Sequence, residues 1–190
     1  MSQSSSLHEG RRRRVAGTLA AILVLLPAGI AAQQPSDPGR RLAELGITLP
    51  AVARPLANYV PWVLSGNQLW VAGQVPAVTG RLGADLSVEQ GHAAARETCI
   101  KSIAVISAAL DGDLRRVRRI LRVSGFVRAT PEFTAHPQVI NGCSDLLVQV
   151  FGEAGRHSRI AVGMASLPNG AAVEVDMVVE VGPAPWPGAP

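Results

Sequence analysis

The chain has 190 residues, 47% of them hydrophobic and only 17% charged, a balance that excludes a largely disordered polypeptide and suffices for one domain with a core. Its formal charge of +4 is concentrated at the start: residues 1–32 hold Arg11, Arg12, Arg13 and Arg14 against Glu9, leaving fourteen basic and thirteen acidic side chains, a net of +1. A nearly neutral domain lacks the broad positive field used to grip phosphate backbones, so nucleic acid is not the favoured partner.

Val15 to Ala32 is uncharged, with an apolar centre at Leu19 and Ile22 to Leu26 followed by Pro27, Gly29, Ala31 and Ala32. Behind a basic flank this is the pattern of a secretory signal peptide over residues 1–32, cleaved near Ala31 or Ala32, and it implies export to a periplasm or the extracellular space. The same stretch sits at the lower edge of a bilayer span, so an uncleaved anchor also fits, with membrane contact confined to residues 15–32. An overextended start ahead of a cytoplasmic protein is a third reading. Residues 33–39 read as a polar linker, 40–182 as the folded domain and 183–190 as a Pro-rich tail.

Within the domain, Tyr59–Leu64 and Gln68–Val75 read as strands around the turn residues Ser65, Gly66 and Asn67. Ser87 followed by Gln90 resembles a capping box, and Ala95, Cys99, Ile103, Ile106 and Leu110 keep a helical period as far as Asp111-Gly112-Asp113. The basic run Arg115, Arg116, Arg118 and Arg119 precedes a strand over Ile120–Val127, and this run reads as solvated surface because no aromatics interleave with it. Pro137 opens a second helix carrying Ile140, Cys143, Leu147, Val150 and Phe151, which Gly152 ends. Arg159–Ala165 alternates, Leu167 to Gly170 turns, and Ala172–Val181 is a strand with Glu174 and Asp176 on one side.

The order ββαβαββ predicts an α+β domain, a mixed sheet with two helices on one face. Val173, Val175, Met177 and Val179 add an apolar row to the last strand, and covering the sheet face away from the helices by further copies of the chain makes a homo-oligomer the economical expectation. Cys99 and Cys143 fall on helical apolar stripes and read as buried thiols. The four histidines show no HxH or HExxH spacing, so neither a metal site nor a cofactor is expected.

A set of segments occurs in a recognisable order: Tyr59-Val60, Ala72-Gly73-Gln74-Val75-Pro76, Val123 to Val127, Val139-Ile140-Asn141-Gly142, Ser158 to Gly163, Ser166-Leu167-Pro168 and Val173-Glu174-Val175. Together they resemble the RidA (YjgF-like) family over nearly the whole domain. The run Phe151 to Arg159 is similar to its divergent branch, often labelled endoribonuclease L-PSP-like or chorismate-mutase-like. The resemblance implies a chorismate-mutase-like fold assembled as a homotrimer, with a ligand cleft at each subunit interface. It further implies hydrolysis of small enamines and imines to a 2-oxo acid and ammonia. Arg159 would then hold the substrate carboxylate and Glu174 would position or activate water. Tyr59 and Asn141 match family positions near the cleft, and the backbone at Gly73 and Gln74 would lie close to the ligand because glycine leaves room. Where characterised deaminases carry a cysteine two residues after the arginine this chain has Ala161, and where they often carry a hydroxyl before Gly-Gln it has Ala72.

The residues support those roles on their own chemistry. A small imino acid offers its carboxylate as the one strong handle, which a guanidinium grips with two parallel hydrogen bonds. Glu174, inward on an apolar strand, suits a base whose pKa is raised by burial. A buried ion pair between Arg159 and Glu174 on neighbouring strands is the competing structural reading. A noncatalytic module binding small carboxylates and, less favoured, an RNA-cleaving enzyme are the alternative functions.

Overall fold

A computed structural model describes residues 37–55 and 57–183. The leader at 1–32 and nearly all of the 183–190 tail therefore lie outside the described residues. Among the described residues, no helix is long and apolar enough to cross a membrane.

The first element is a helix the sequence reading did not anticipate, α1 (Pro38–Glu44), which begins inside the stretch read as linker. Asp37 caps it through the Gly39 amide at 3.0 Å, and Pro38 stands at the first helical position, where no amide hydrogen is needed. At seven residues it is too short to show a helical period. Strands β1 (Trp62–Ser65) and β2 (Gln68–Gln74) form the expected hairpin with Ser65 opposite Gln68, and Gly66 takes the positive φ of 60° that the tight turn requires.

Helix α2 (Val88–Ala109) starts with the predicted capping box, Ser87 and Gln90 exchanging side-chain to backbone bonds of 3.3 and 2.8 Å. β3 (Val117–Arg128) is longer than expected and takes Arg118 and Arg119 into the strand, with Arg119 opposite Glu180 of β5. Helix α3 (His136–Phe151) then crosses back to β4 (Ser158–Met164), the strand parallel to β3, and β5 (Val173–Val181) closes the chain.

The sheet order is β1-β2-β5-β3-β4, so β5 lies between β2 and β3 and pairs antiparallel with both. Helices α2 and α3 cover one face, and the core between the layers includes Leu69, Ile103, Ile106, Ile120, Ile140, Leu146, Leu147 and Met177, all with almost no exposure. Gly125 lets α3 lie close on the sheet, because a Cβ there would come within 2.6 Å of Ile140. Cys99 and Cys143 are buried free thiols on facing helices, Cys99 Sγ donating to the Cys143 carbonyl at 3.5 Å.

Two expectations about faces are corrected. Val173, Val175, Met177 and Val179 face the helices and belong to the core, while Glu174, Asp176, Val178 and Glu180 take the outer face. The outer face is apolar through other residues: Trp70 is 52% exposed, and Val63, Ile160, Val162 and Met164 join it. Nor are the strands of Arg159 and Glu174 neighbours, for β3 separates β4 from β5.

Candidate functional site

The predicted site residues fall into two groups. The first centres on Arg159, the second residue of the edge strand β4. Alternation puts Arg159, Ala161 and Gly163 on the helix side: Arg159 bonds to α3, and a Cβ at Gly163 would approach His136 Nε2 to 2.5 Å. Arg159 Nη1 donates to Asn141 Oδ1 at 2.9 Å and to Ser144 Oγ at 3.0 Å. Asn141 thus sits beside Arg159 as its hydrogen-bond acceptor. Both acceptors are neutral, and no carboxylate pairs with this guanidinium among the described residues. Its Nε and Nη2 hydrogens have no partner among the described residues and form a fork whose geometry matches a carboxylate.

The second group centres on Glu174. A cavity of about 620 Å³ is lined by Tyr59, Gly73, Gln74, Lys101, Asn169 and Glu174, among others. Gly73 sits where the β2–β5 register shifts between Val71 and Gln74. The carboxylate of Glu174 lies directly over it, with Cδ 3.1 Å from where a Cβ would stand, so only glycine leaves this space. Burial, reinforced by the negative charge of Asp176, pushes the Glu174 carboxyl above its ordinary range. Tyr59 is 57% exposed at the cavity mouth, and Gln74 turns its amide back onto the Ala72 and Gly73 carbonyls at 3.1 and 3.2 Å.

Within one chain the two groups do not meet. Arg159 is level with Val123 and Met177, three residues along β5 from Glu174 and two strand spacings away, which separates the Cα atoms by about 14 Å. They also occupy opposite faces of the sheet. The ion pair weighed from sequence is therefore absent among the described residues, and neither residue neutralises the other.

Three residues escaped the sequence reading. Lys101 lines the Glu174 cavity while bonded to the Val75 carbonyl and to Glu97, both at 2.9 Å; its only sequence signal is a helical i,i+4 ion pair. Ser144 and His157 stand beside Arg159, 3.0 Å apart, and nothing in their thirteen-residue separation announces the contact. Of the basic run, Arg115 is held by Asp113 at 2.7 Å and Arg116 reaches the Gly182 carbonyl at 3.4 Å, while Arg118, Arg119 and Arg122 are exposed.

A five-stranded mixed sheet with two helices on one face, an edge-strand guanidinium with no carboxylate partner among the described residues and a half-buried acid over a glycine make up an α+β domain. The family model described as YjgF/chorismate_mutase-like, putative endoribonuclease, matches residues 39–181, and the chain belongs to that family. It is 52% identical over 147 residues to Protein TCP17 of Trypanosoma cruzi, a match spanning 74% of this chain and 91% of that protein. Among solved structures, it is 49% identical to Atu1372 of Agrobacterium tumefaciens, a protein of unknown function, with a TM-score of 0.72 and coverage of 76% and 92% of the two chains. A putative endoribonuclease from Shewanella oneidensis is 37% identical, with a TM-score of 0.73 and coverage of 76% and 99%.

Proposed function

We propose that the protein hydrolyses small imines or enamines derived from amino acids, in a cleft built from two copies of the chain. The observation that carries this reading is the state of Arg159: one nitrogen anchored by neutral acceptors and, among the described residues, no anion to fill the fork beside it. A carboxylate-bearing substrate supplies the missing charge.

Glu174 provides the second requirement. Its carboxylate, made more basic by burial, takes one proton from water as the water oxygen adds to the C=N carbon and returns it to the nitrogen, giving a carbinolamine. It then takes the carbinolamine hydroxyl proton and passes it to the nitrogen as the C–N bond breaks and the C=O bond forms, leaving a 2-oxo acid and ammonia. Because Arg159 and Glu174 lie on opposite faces of one sheet, the clamp of one copy must serve the acid of another. The apolar outer face through Trp70, Val63, Ile160, Val162 and Met164 supports such association, and a closed ring of three copies gives each cleft one residue of each kind.

The endoribonuclease label of relatives finds no comparable support. Arg115 and Arg116 lie in the turn before β3 and are held by Asp113 and the Gly182 carbonyl, Arg118, Arg119 and Arg122 lie on β3, and the domain is nearly neutral.

Complementation tests the proposal. Arg159→Ala and Glu174→Gln chains are each expected to release no ammonia above background from freshly generated imino acids. Co-refolding them in equal amounts is expected to restore about a quarter of wild-type activity, since random pairing makes about one cleft in four complete. Wild type no faster than Arg159→Ala on every imine would overturn the hydrolase reading. Saturable stabilisation by 2-oxo acids without turnover would replace it with a binding module.

A further inference from the structure

Ser144 and His157 have no part in the reaction written above, yet they meet at the guanidinium it depends on. Ser144 Oγ lies 3.0 Å from His157 Nε2, and the other ring nitrogen, Nδ1, lies 2.7 Å from the Gly155 carbonyl oxygen. A carbonyl only accepts, so Nδ1 carries a proton; in the neutral ring Nε2 then offers a lone pair, and the Ser144 hydroxyl donates to it. Burial, with the Arg159 charge acting in the same direction, holds His157 below the ordinary histidine range, which keeps the ring neutral at neutral pH.

With its single proton committed to His157, Ser144 presents lone pairs, and one of them receives Arg159 Nη1 at 3.0 Å. Asn141 Oδ1 receives the same nitrogen at 2.9 Å. Every direction in the chain from Arg159 through Ser144 and His157 to Gly155 is thus set by one backbone carbonyl. That carbonyl is itself held in place: Gly155 is buried against the end of α3, where a Cβ would come within 2.8 Å of the Val148 amide nitrogen.

We propose that Ser144 and His157 are positioning residues for Arg159, an oriented hydroxyl–imidazole pair that together with Asn141 saturates Nη1 and leaves the Nε–Nη2 edge for the ligand. The proposal rests on the reading of Arg159 as the carboxylate clamp. Neither residue is assigned contact with the reacting atoms.

The test combines histidine NMR with titration by sodium pyruvate. In the wild-type protein the neutral His157 ring is expected as the Nδ1–H tautomer, and Arg159→Met is expected to move its titration to higher pH. Ser144→Ala and His157→Phe are each expected to weaken pyruvate binding about tenfold, the double variant no more than either single one, and Ser144→Thr to restore it. A neutral Nε2–H tautomer, a titration unmoved in Arg159→Met, or losses that add in the double variant would overturn the proposal. If the wild type binds no pyruvate while the tautomer and the Arg159→Met shift appear as expected, the clamp reading fails and the oriented pair stands.

Discussion

Replacing Gly73 by alanine separates the position of Glu174 from everything else in the fold. A Cβ at residue 73 would stand closer to Glu174 Oε1 than the 3.0 Å that real Cβ contacts keep, and 3.1 and 3.3 Å from Cδ and Cγ, so the carboxylate must retreat by roughly 1 Å. The backbone at Gly73 has no left-handed φ, so alanine introduces no strain of its own. The glycine-to-alanine change contributes about 0.4–1 kcal/mol toward stability by reducing the freedom of the unfolded chain. A displacement of this size at a reacting group costs about a hundredfold in rate, equivalent to about 2.7 kcal/mol of transition-state stabilisation. Gly73→Ala is therefore expected to melt at or above the wild-type temperature while releasing ammonia from fresh imino acids about a hundredfold more slowly. A variant that keeps its rate within about threefold would show that the reaction does not depend on where this carboxylate sits.

Other consequences follow from burial and close approach. Because the folded protein holds the Glu174 proton more tightly than the unfolded chain does, stability is greatest below the ordinary carboxylate range and is lost as pH rises through the raised folded value. Glu174→Gln is expected to remove that decline, so the two melting curves from about pH 4 to about pH 8 should diverge in favour of the variant as pH rises. Gly142→Ala places a Cβ against the His92 carbonyl, 2.9 Å from its carbon and 3.1 Å from the Arg96 amide, where only parting α2 from α3 makes room. Urea unfolding should register a loss of about 1–3 kcal/mol. Ser87→Ala removes half of the capping box and is expected to cost about 1 kcal/mol, lowering the melting temperature by about 2–4 °C.

Much of the fold was legible because its elements are long and amphipathic. α2 and α3 carry unbroken helical periods, and the hairpin has a turn that only a few residue types form. Alternation along β5 gave the right two sets of residues, but a period of two cannot say which set faces the helices. That depends on β5 entering between β2 and β3, a choice of topology with no local signature. The same ambiguity concealed the relation of Arg159 to Glu174: their residue types pointed to binding and acid–base chemistry, while their opposite faces emerge only from the assembled sheet. The family pattern singled out Asn141 as a cleft residue but not its bond to Arg159. Ser144 and His157 were not legible, since a serine inside a helix and a histidine after a glycine-rich turn are unremarkable until the chain brings them together.

Among the described residues, β4 has hydrogen-bonded pairing with β3 alone, which leaves it at the edge of the sheet. Such a strand detaches at a lower free energy than the central ones, and its amides should exchange with solvent sooner than those of β5, which is flanked on both sides. Arg159 rides on that strand. Whatever docks along this margin, whether a sister chain or a small anion, would also act as a brake on local opening, and the proposed clamp would gain order as it is occupied.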